Sequence, residues 1–298
     1  MNLRNTSALF TAVAALTVAP AIANAQSNDA PSGPPKVIRI MREEIKQGRD
    51  AAHEKTETAY VKAAVKYKYP NYTLGMNLIS GPTEAWFVEA HDSFKSLENA
   101  WSFIDKNAAA RAEFASLDAL DGELRAGLRT MIAVLNDDLV YRGEEFMKDL
   151  PKTRYFMVEM IRVRPYSDRR FVELGKQILN ADKMAGVDEK FAVYRVAAGA
   201  PGGTYLIFVP MKSMAFMDEM GEREKAMVGA MGTESLQELM KSAAEVIQTS
   251  ESYLMAINPK MSYVSKGLAS QDPDFWMPKA APAAKPAAKP ADKTGAGQ

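Results

Sequence analysis

The apolar and polar positions of this chain fall into blocks whose order is given twice. Each half opens on a strand-like run that ends in a polar turn, Val37-Ile-Arg-Ile-Met41 in one and Tyr155-Phe-Met-Val158 in the other. A helical period follows: from Asp50, with Ala52, Thr56, Ala59 and Ala63 on one face, and from near Asp168, with Phe171, Leu174 and Ile178. Two more strands come next, joined by Ser80-Gly-Pro-Thr83 and by Gly199-Ala-Pro-Gly-Gly203, whose glycines and prolines form turns. A long helical region is then predicted in each half. In the first, Leu117, Leu120, Leu124, Leu128, Ile132 and Leu135 recur at steps of three and four; in the second, Leu236, Leu239, Met240, Ala243, Val246 and Ile247 do so. Short strands close the halves at Leu139-Val-Tyr141 and Tyr253-Leu-Met-Ala-Ile257.

The segment Tyr72–Glu89 lies over Phe191–Phe208 without a gap, an offset of 119 residues that sets Pro82 on Pro201 and Trp86 on Tyr205. Upstream, Arg42 matches Arg162. Tyr205-Leu-Ile-Phe-Val209 is apolar at every position, so both faces of its sheet are expected to be covered. Helices cover one face of such a sheet, and the sister module is the simplest cover for the other. The expectation is an α+β chain of two fused βαββαβ modules, residues 36–150 and 151–265, packed sheet to sheet as a pseudo-dimer within one chain.

This element order resembles the ferredoxin-like module and, over residues 36–265, the dimeric α+β barrel superfamily. That group includes antibiotic-biosynthesis-type monooxygenases, haem-degrading monooxygenases and chlorite-dismutase-like haem proteins. The resemblance implies ligand cavities between sheet and helices. The chlorite-dismutase type of haem site implies an axial histidine in the second module, and this chain has no histidine after His91. No cofactor is therefore expected.

The two ends have a different composition. Residues 1–25 read as a secretory signal, with Arg4, an apolar stretch from Ala8 to Ala23 and Ala23-Asn-Ala25 before the expected cut. The apolar part is shorter than the roughly 20 residues that span a bilayer, so no membrane span is predicted, and the expected location is periplasmic or secreted. Residues 26–35 read as a linker. Residues 266–298 read as a disordered Ala/Pro/Lys tail. The absence of cysteine excludes disulfides, thiolate metal sites and a cysteine nucleophile. Without the signal and the Ala/Pro/Lys segment from Pro278 onward, 32 basic stand against 36 acidic residues, which argues against nucleic acid as a partner.

Three sets of residues are candidates for chemistry. His53 and Glu57, one helical turn apart, can supply two metal ligands, but no third has a recognisable spacing. Their alternative is a helix pair exposed in part. With Arg42 and Trp86, His53 would line the cavity of a cofactor-free monooxygenase-like enzyme. Trp86 and His91 differ in parity along their strand and are expected on opposite faces. Arginines in apolar strands, Arg39, Arg42, Arg162, Arg164 and Arg195, are candidates to bind an anionic ligand, Arg162 and Arg195 above all, or else to pair with Glu43, Glu89 or Glu159. Met211, Met214, Met217 and Met220, at a step of three, offer soft Cu(I) ligands, although that step drifts around a helix and does not converge. The reading favoured by composition and motif is a non-catalytic protein that binds a small molecule or an envelope protein. A monooxygenase-like enzyme comes second and Cu(I) binding third.

Overall fold

Both sequence blocks become βαββαβ modules, and the two sheets close on each other. The computed structural model describes residues 33–277. The expected signal, the expected linker up to residue 32 and the segment from 278 lie outside them. The first module runs β1 (Val37–Ile45), α1 (Asp50–Tyr67), β2 (Thr73–Leu78), β3 (Glu84–His91), α2 (Phe94–Lys106), α3 (Ala108–Gly122) and β4 (Arg125–Tyr141). A short α4 (Gly143–Asp149) leads to the second: β5 (Tyr155–Val163), α5 (Asp168–Ala185), β6 (Phe191–Ala198), β7 (Thr204–Met211), α6 (Met220–Met231), α7 (Thr233–Val246) and β8 (Ile247–Ile257). Two short helices, α8 (Lys266–Ala269) and α9 (Pro273–Trp276), follow.

Among the described residues the eight strands form a closed barrel in the order β1-β3-β2-β8-β5-β7-β6-β4. Each module contributes a sheet with its fourth strand beside its first, and the sheets join edge to edge at β2–β8 and β4–β6. The alternation of strand side chains then sets which residues meet. Ile38, Ile40, Trp86 and Met131 of one module meet Phe156, Val158, Leu206 and Met255 of the other inside the barrel. Each such burial contributes roughly 1.5–3 kcal/mol, and no cysteine is needed. The opposite faces carry the helices, which is why strands such as Tyr205–Val209 are apolar throughout.

Four expectations are corrected. The leucine run of the first half is not one helix: α3 stops at Gly122, and Leu124, Leu128, Ile132 and Leu135 lie at or in β4. Steps of four satisfy a helix and a strand alike, because an even step keeps one face of a strand. Likewise Ile247 opens β8. On α1 the buried positions are His53, Glu57, Ala63 and Ala64, while Ala52 is exposed, so the polar side of this helix faces the sheet.

The gapless alignment is also out of register. Trp86 lies inside the barrel and Tyr205 outside it against Phe171. Corresponding backbone bonds fix the true match: Ile45 N to Thr83 O and Val163 N to Gly203 O; Lys46 N to Leu124 O and Arg164 N to Val246 O. Helices α1 and α5 begin at Asp50 and Asp168 and end at left-handed caps, Lys68 and Gly186. By this match Arg42 corresponds to Met160 and Arg162 to Glu44, so Arg42 and Arg162 are not equivalent. Finally, residues 266–277, read as the start of the tail, are folded. Trp276 is buried under the barrel and its Nε1 donates to Pro151 O at 2.8 Å. The segment's composition up to Met277, with Phe275 and Trp276, is unlike the Ala/Pro/Lys repeats beyond it. No helix of the described residues is long and apolar enough to cross a membrane.

Candidate metal centre

The polar side of α1 faces three further charged side chains that sequence spacing did not reveal. Strand β1 turns Arg39, Met41, Glu43 and Ile45 toward the helices, by the same alternation that sends Ile38, Ile40 and Arg42 into the barrel. His53 and Glu57, four residues apart, share one face of α1. Asp121 is in the last turn of α3, where Leu124 N bonds back to Asp121 O. Together Glu43, His53, Glu57 and Asp121 each offer a ligand atom, all within 4.8 Å of one another. All four residues are buried, between 1% and 7% exposed.

Their contacts are close. His53 Nε2 is hydrogen-bonded to Glu43 Oε2 at 2.9 Å and lies 3.5 Å from Asp121 Oδ1 and 4.0 Å from Glu57 Oε1. Arg125, the first residue of β4, donates to Glu43 Oε1 at 2.8 Å and to Asp118 Oδ1 at 3.0 Å. Its Nε is 2.9 Å from Asp121 Oδ2, but without the alignment of a hydrogen bond, so neither oxygen of Asp121 has an aligned donor. Burial, followed by the carboxylates of Glu43 and Asp121, pushes the Glu57 carboxyl up to about 9. Burial and then Glu43 push Asp121 up to about 6. The neighbouring Tyr60 hydroxyl is also held far above its usual range, by burial first and then by Asp118 and Glu57. Three carboxyl groups held out of water beside one imidazole and one guanidinium carry a desolvation cost that a purely structural salt bridge need not bear.

The duplicated fold supplies a comparison within the chain. By the register established above, Glu43 corresponds to Ile161, His53 to Phe171, Glu57 to Gly175, Asp121 to Ala243 and Arg125 to Ile247. Ile161 and Phe171 belong to the buried core of the second module, and Ala243 and Ile247 pack against it. The same layer of the same fold is thus held by apolar packing in one module and by ionisable groups in the other. The fold does not require the polar set.

The other sequence candidates are distributed over the molecule. Arg42 points into the barrel, where Glu84 takes its Nε and Nη2 at 2.8 and 3.1 Å and its guanidinium covers the Trp86 ring at 4.3 Å. His53 is on the other side of that sheet, so Arg42 and Trp86 do not share a cavity with it. His91 and Trp86 face opposite sides, as their parity requires; His91 Nδ1 faces Asn71 Nδ2 at 2.9 Å. Arg39 pairs with Glu89 at 3.3 Å. Arg195 pairs with Asp168 at 3.1 Å on the surface, and Arg162, half-buried, keeps its Nε without an acceptor. Met211 is buried at the end of β7, whereas Met214 and Met220 are 44% and 48% exposed, Met214 opening a short 3-10 turn that Met217 closes. The four sulfurs belong to three different elements.

No protein-family model and no curated protein matches the chain. Solved structures with a similar chain path include a candidate monooxygenase from Lactobacillus acidophilus NCFM, 6% identical with a TM-score of 0.47, covering 75% of this chain and 94% of that one. An anthrone oxidase-like protein is 12% identical with a TM-score of 0.48 over 75% and 92%. A mutant chlorite dismutase from Candidatus Nitrospira defluvii in complex with cyanide is 11% identical with a TM-score of 0.44 over 78% and 95%. At these identities the likeness concerns the course of the chain and says nothing of its chemistry.

Proposed function

We propose that this is an exported, non-catalytic small-ligand-binding protein and that its ligand is a metal ion, held in the first module by Glu43, His53, Glu57 and Asp121. One observation carries the reading: four buried ligand atoms from three separate elements converge within 4.8 Å at positions where the duplicate module has only apolar or small residues. One imidazole with carboxylates suits zinc, ferrous iron and the harder manganese(II) better than Cu(I), which prefers sulfur. Metal–ligand distances of about 2.0–2.2 Å require the four atoms to contract by less than about 1 Å. Export rests on the signal-like residues 1–25, outside the described residues.

The test is equilibrium titration of the mature chain with Zn2+ and Mn2+, read by calorimetry and by thermal unfolding. An ion at 100 times its Kd raises unfolding free energy by about 2.7 kcal/mol. His53→Phe, which installs the second module's residue, is expected to remove that response. Absence of binding by the wild-type chain, or full binding by His53→Phe, overturns the proposal.

A further inference from the structure

Arg125 reaches the centre through a backbone irregularity. Along β1–β4, Glu43 faces Leu128 and Glu44 faces Gly127, but Ile45 faces Arg125, so Ala126 is skipped. Residues paired across strands share a face, and Ile45 is on the helix-facing side with Glu43. The bulge therefore turns Arg125 to that side; in regular pairing the position would belong to Ala126. In β5–β8 the second module has the same irregularity, with Arg162 on Thr249 and Val163 on Ile247, but there the re-aimed side chain is Ile247. The bulge belongs to the fold, and the charge placed on it belongs to this centre alone.

Three buried carboxylates face this one guanidinium, which contacts Glu43 and Asp121 directly. When a metal ion takes up all three carboxylates and neutral His53, the protein contributes two net negative charges. We propose that Arg125 is the specificity-determining residue of the centre: by cancelling one of three carboxylate charges it matches the site to a divalent ion and disfavours a trivalent one. This rests on the metal-binding reading above. Coulombic repulsion from the guanidinium scales with the charge of the ion, so a trivalent ion gains one more increment than a divalent ion when Arg125 is neutralised. Asp118, the third partner of Arg125, is 68% exposed at its side chain and contributes through water-screened attraction only.

The experiment titrates the mature chain with Mn2+ and Tb3+ at one pH and compares the two affinities. Arg125→Lys, which keeps the charge, is expected to leave the trivalent-to-divalent ratio within about threefold of wild type, and Arg125→Gln to raise it about tenfold or more. Glu57→Gln, which removes one carboxylate charge, lowers it by a similar factor. The double variant Glu57→Gln with Arg125→Gln restores the balance and returns the ratio to within about threefold of wild type. That double variant relieves the carboxylate crowding, so the comparison survives even if Arg125→Gln does not fold. A ratio unchanged in Arg125→Gln, or one that follows Glu57→Gln but is not restored in the double variant, overturns the assignment while leaving metal binding intact. A wild-type chain that binds neither ion overturns the metal reading and this inference with it.

Discussion

His53 and Phe171 occupy the same place in the two modules, the fourth residue of the first helix, yet one is surrounded by carboxylates and the other packs at a tilt against Tyr205, 4.4 Å between ring centres. Both are buried, at 2% and 7% exposure, so solvent does not explain the difference. A buried charge costs several kcal/mol unless paired, and burying an aromatic ring is favourable. The first module therefore bears a cost that the second shows to be unnecessary for folding. Groups retained against stability are the groups to test for function.

The cost can be removed one side chain at a time or all together, with opposite results. Arg125→Ile alone leaves Glu43 and Asp121 without their cation, and a loss of about 3–5 kcal/mol is expected. Changing Glu43→Ile, His53→Phe, Glu57→Ala, Asp121→Ala and Arg125→Ile together copies the apolar layer of the second module, with alanine in place of its Gly175 to keep the helix. That chain is expected to fold with stability equal to wild type or higher by about 1–4 kcal/mol, and to bind no metal. Urea unfolding of both variants decides it. A combined variant no more stable than Arg125→Ile would mean that the first module depends on its polar set.

Glu57→Gln separates stability from binding within one residue. Its carboxyl, pushed up to about 9 by burial and the neighbouring carboxylates, keeps its proton in the folded chain while the unfolded chain loses it near the ordinary value of 4.5. The native state thus binds more protons between those values, and unfolding free energy falls as pH rises through that window. Without metal, Glu57→Gln is expected to match wild type near pH 4.5 and to exceed it by about 2–4 kcal/mol at pH 7.5. The same variant should lose most of its stabilisation by Zn2+. Unfolding curves at the two pH values, with and without the ion, check both halves.

How much of this was legible in the sequence follows from what kind of contact each residue makes. Local period and turn chemistry were enough for the two βαββαβ blocks, because α1 and α5, and the hairpins around Pro82 and Pro201, are written in adjacent residues. His53 and Glu57 could be paired for the same reason. Glu43 and Asp121 could not, since they lie 10 residues before and 68 after His53 and meet it only when β1 and α3 pack on α1. Arg125 was hidden further: its direction depends on the bulge at Ala126, and the leucines after it had the spacing of a helix. The parity of β1 was a usable signal, because Glu43 falls on the side opposite Ile38 and Ile40. The one-residue slip that set Trp86 on Tyr205 shows the converse, since similarity of residue type cannot detect which face a strand position occupies.

The second module contains its own displaced carboxyl. Asp182 on α5 is 3% exposed, and burial pushes it up to about 6, with Arg223 drawing it the other way. Its folded value exceeds the ordinary 3.8, so it contributes stability below about pH 4 that is lost as pH rises to about 6. Asp182→Asn is expected to flatten that part of the stability profile and to leave the chain about 1–2 kcal/mol more stable at pH 7. Stability measured at pH 4, 5, 6 and 7 tests it, and a profile as steep in Asp182→Asn as in wild type assigns the slope to other groups.

The chain after β8 packs over β2 and β3 beside α1, and Gly75 is where that packing can be tested. A Cβ on Gly75 would lie 2.5 Å from Met261 O, which is backbone and cannot swing away. The approach is fixed from both sides: Asn258 N donates to Gly75 O at 2.9 Å, and Gly75 N donates to Ser262 Oγ at 2.9 Å. Met261 then packs with Ala85 and Phe87, and Asn258 and Lys260 hold Glu54, next to His53 on α1, at 2.9 and 2.7 Å. Gly75→Ala must push this segment off the sheet, and a loss of about 2–3 kcal/mol is expected. Gly221→Ala is the control, since a Cβ on this glycine in α6 would meet no described atom within 4 Å and should gain about 0.5–1 kcal/mol from helix propensity. If the proposed site binds an ion, loosening the segment should also speed its release, because Asn258 and Lys260 hold Glu54, the neighbour of His53 on α1. Denaturant unfolding and chelator-driven release rates for the two variants give the answer, and equal effects at Gly75 and Gly221 would show that the close contact contributes nothing to the packing.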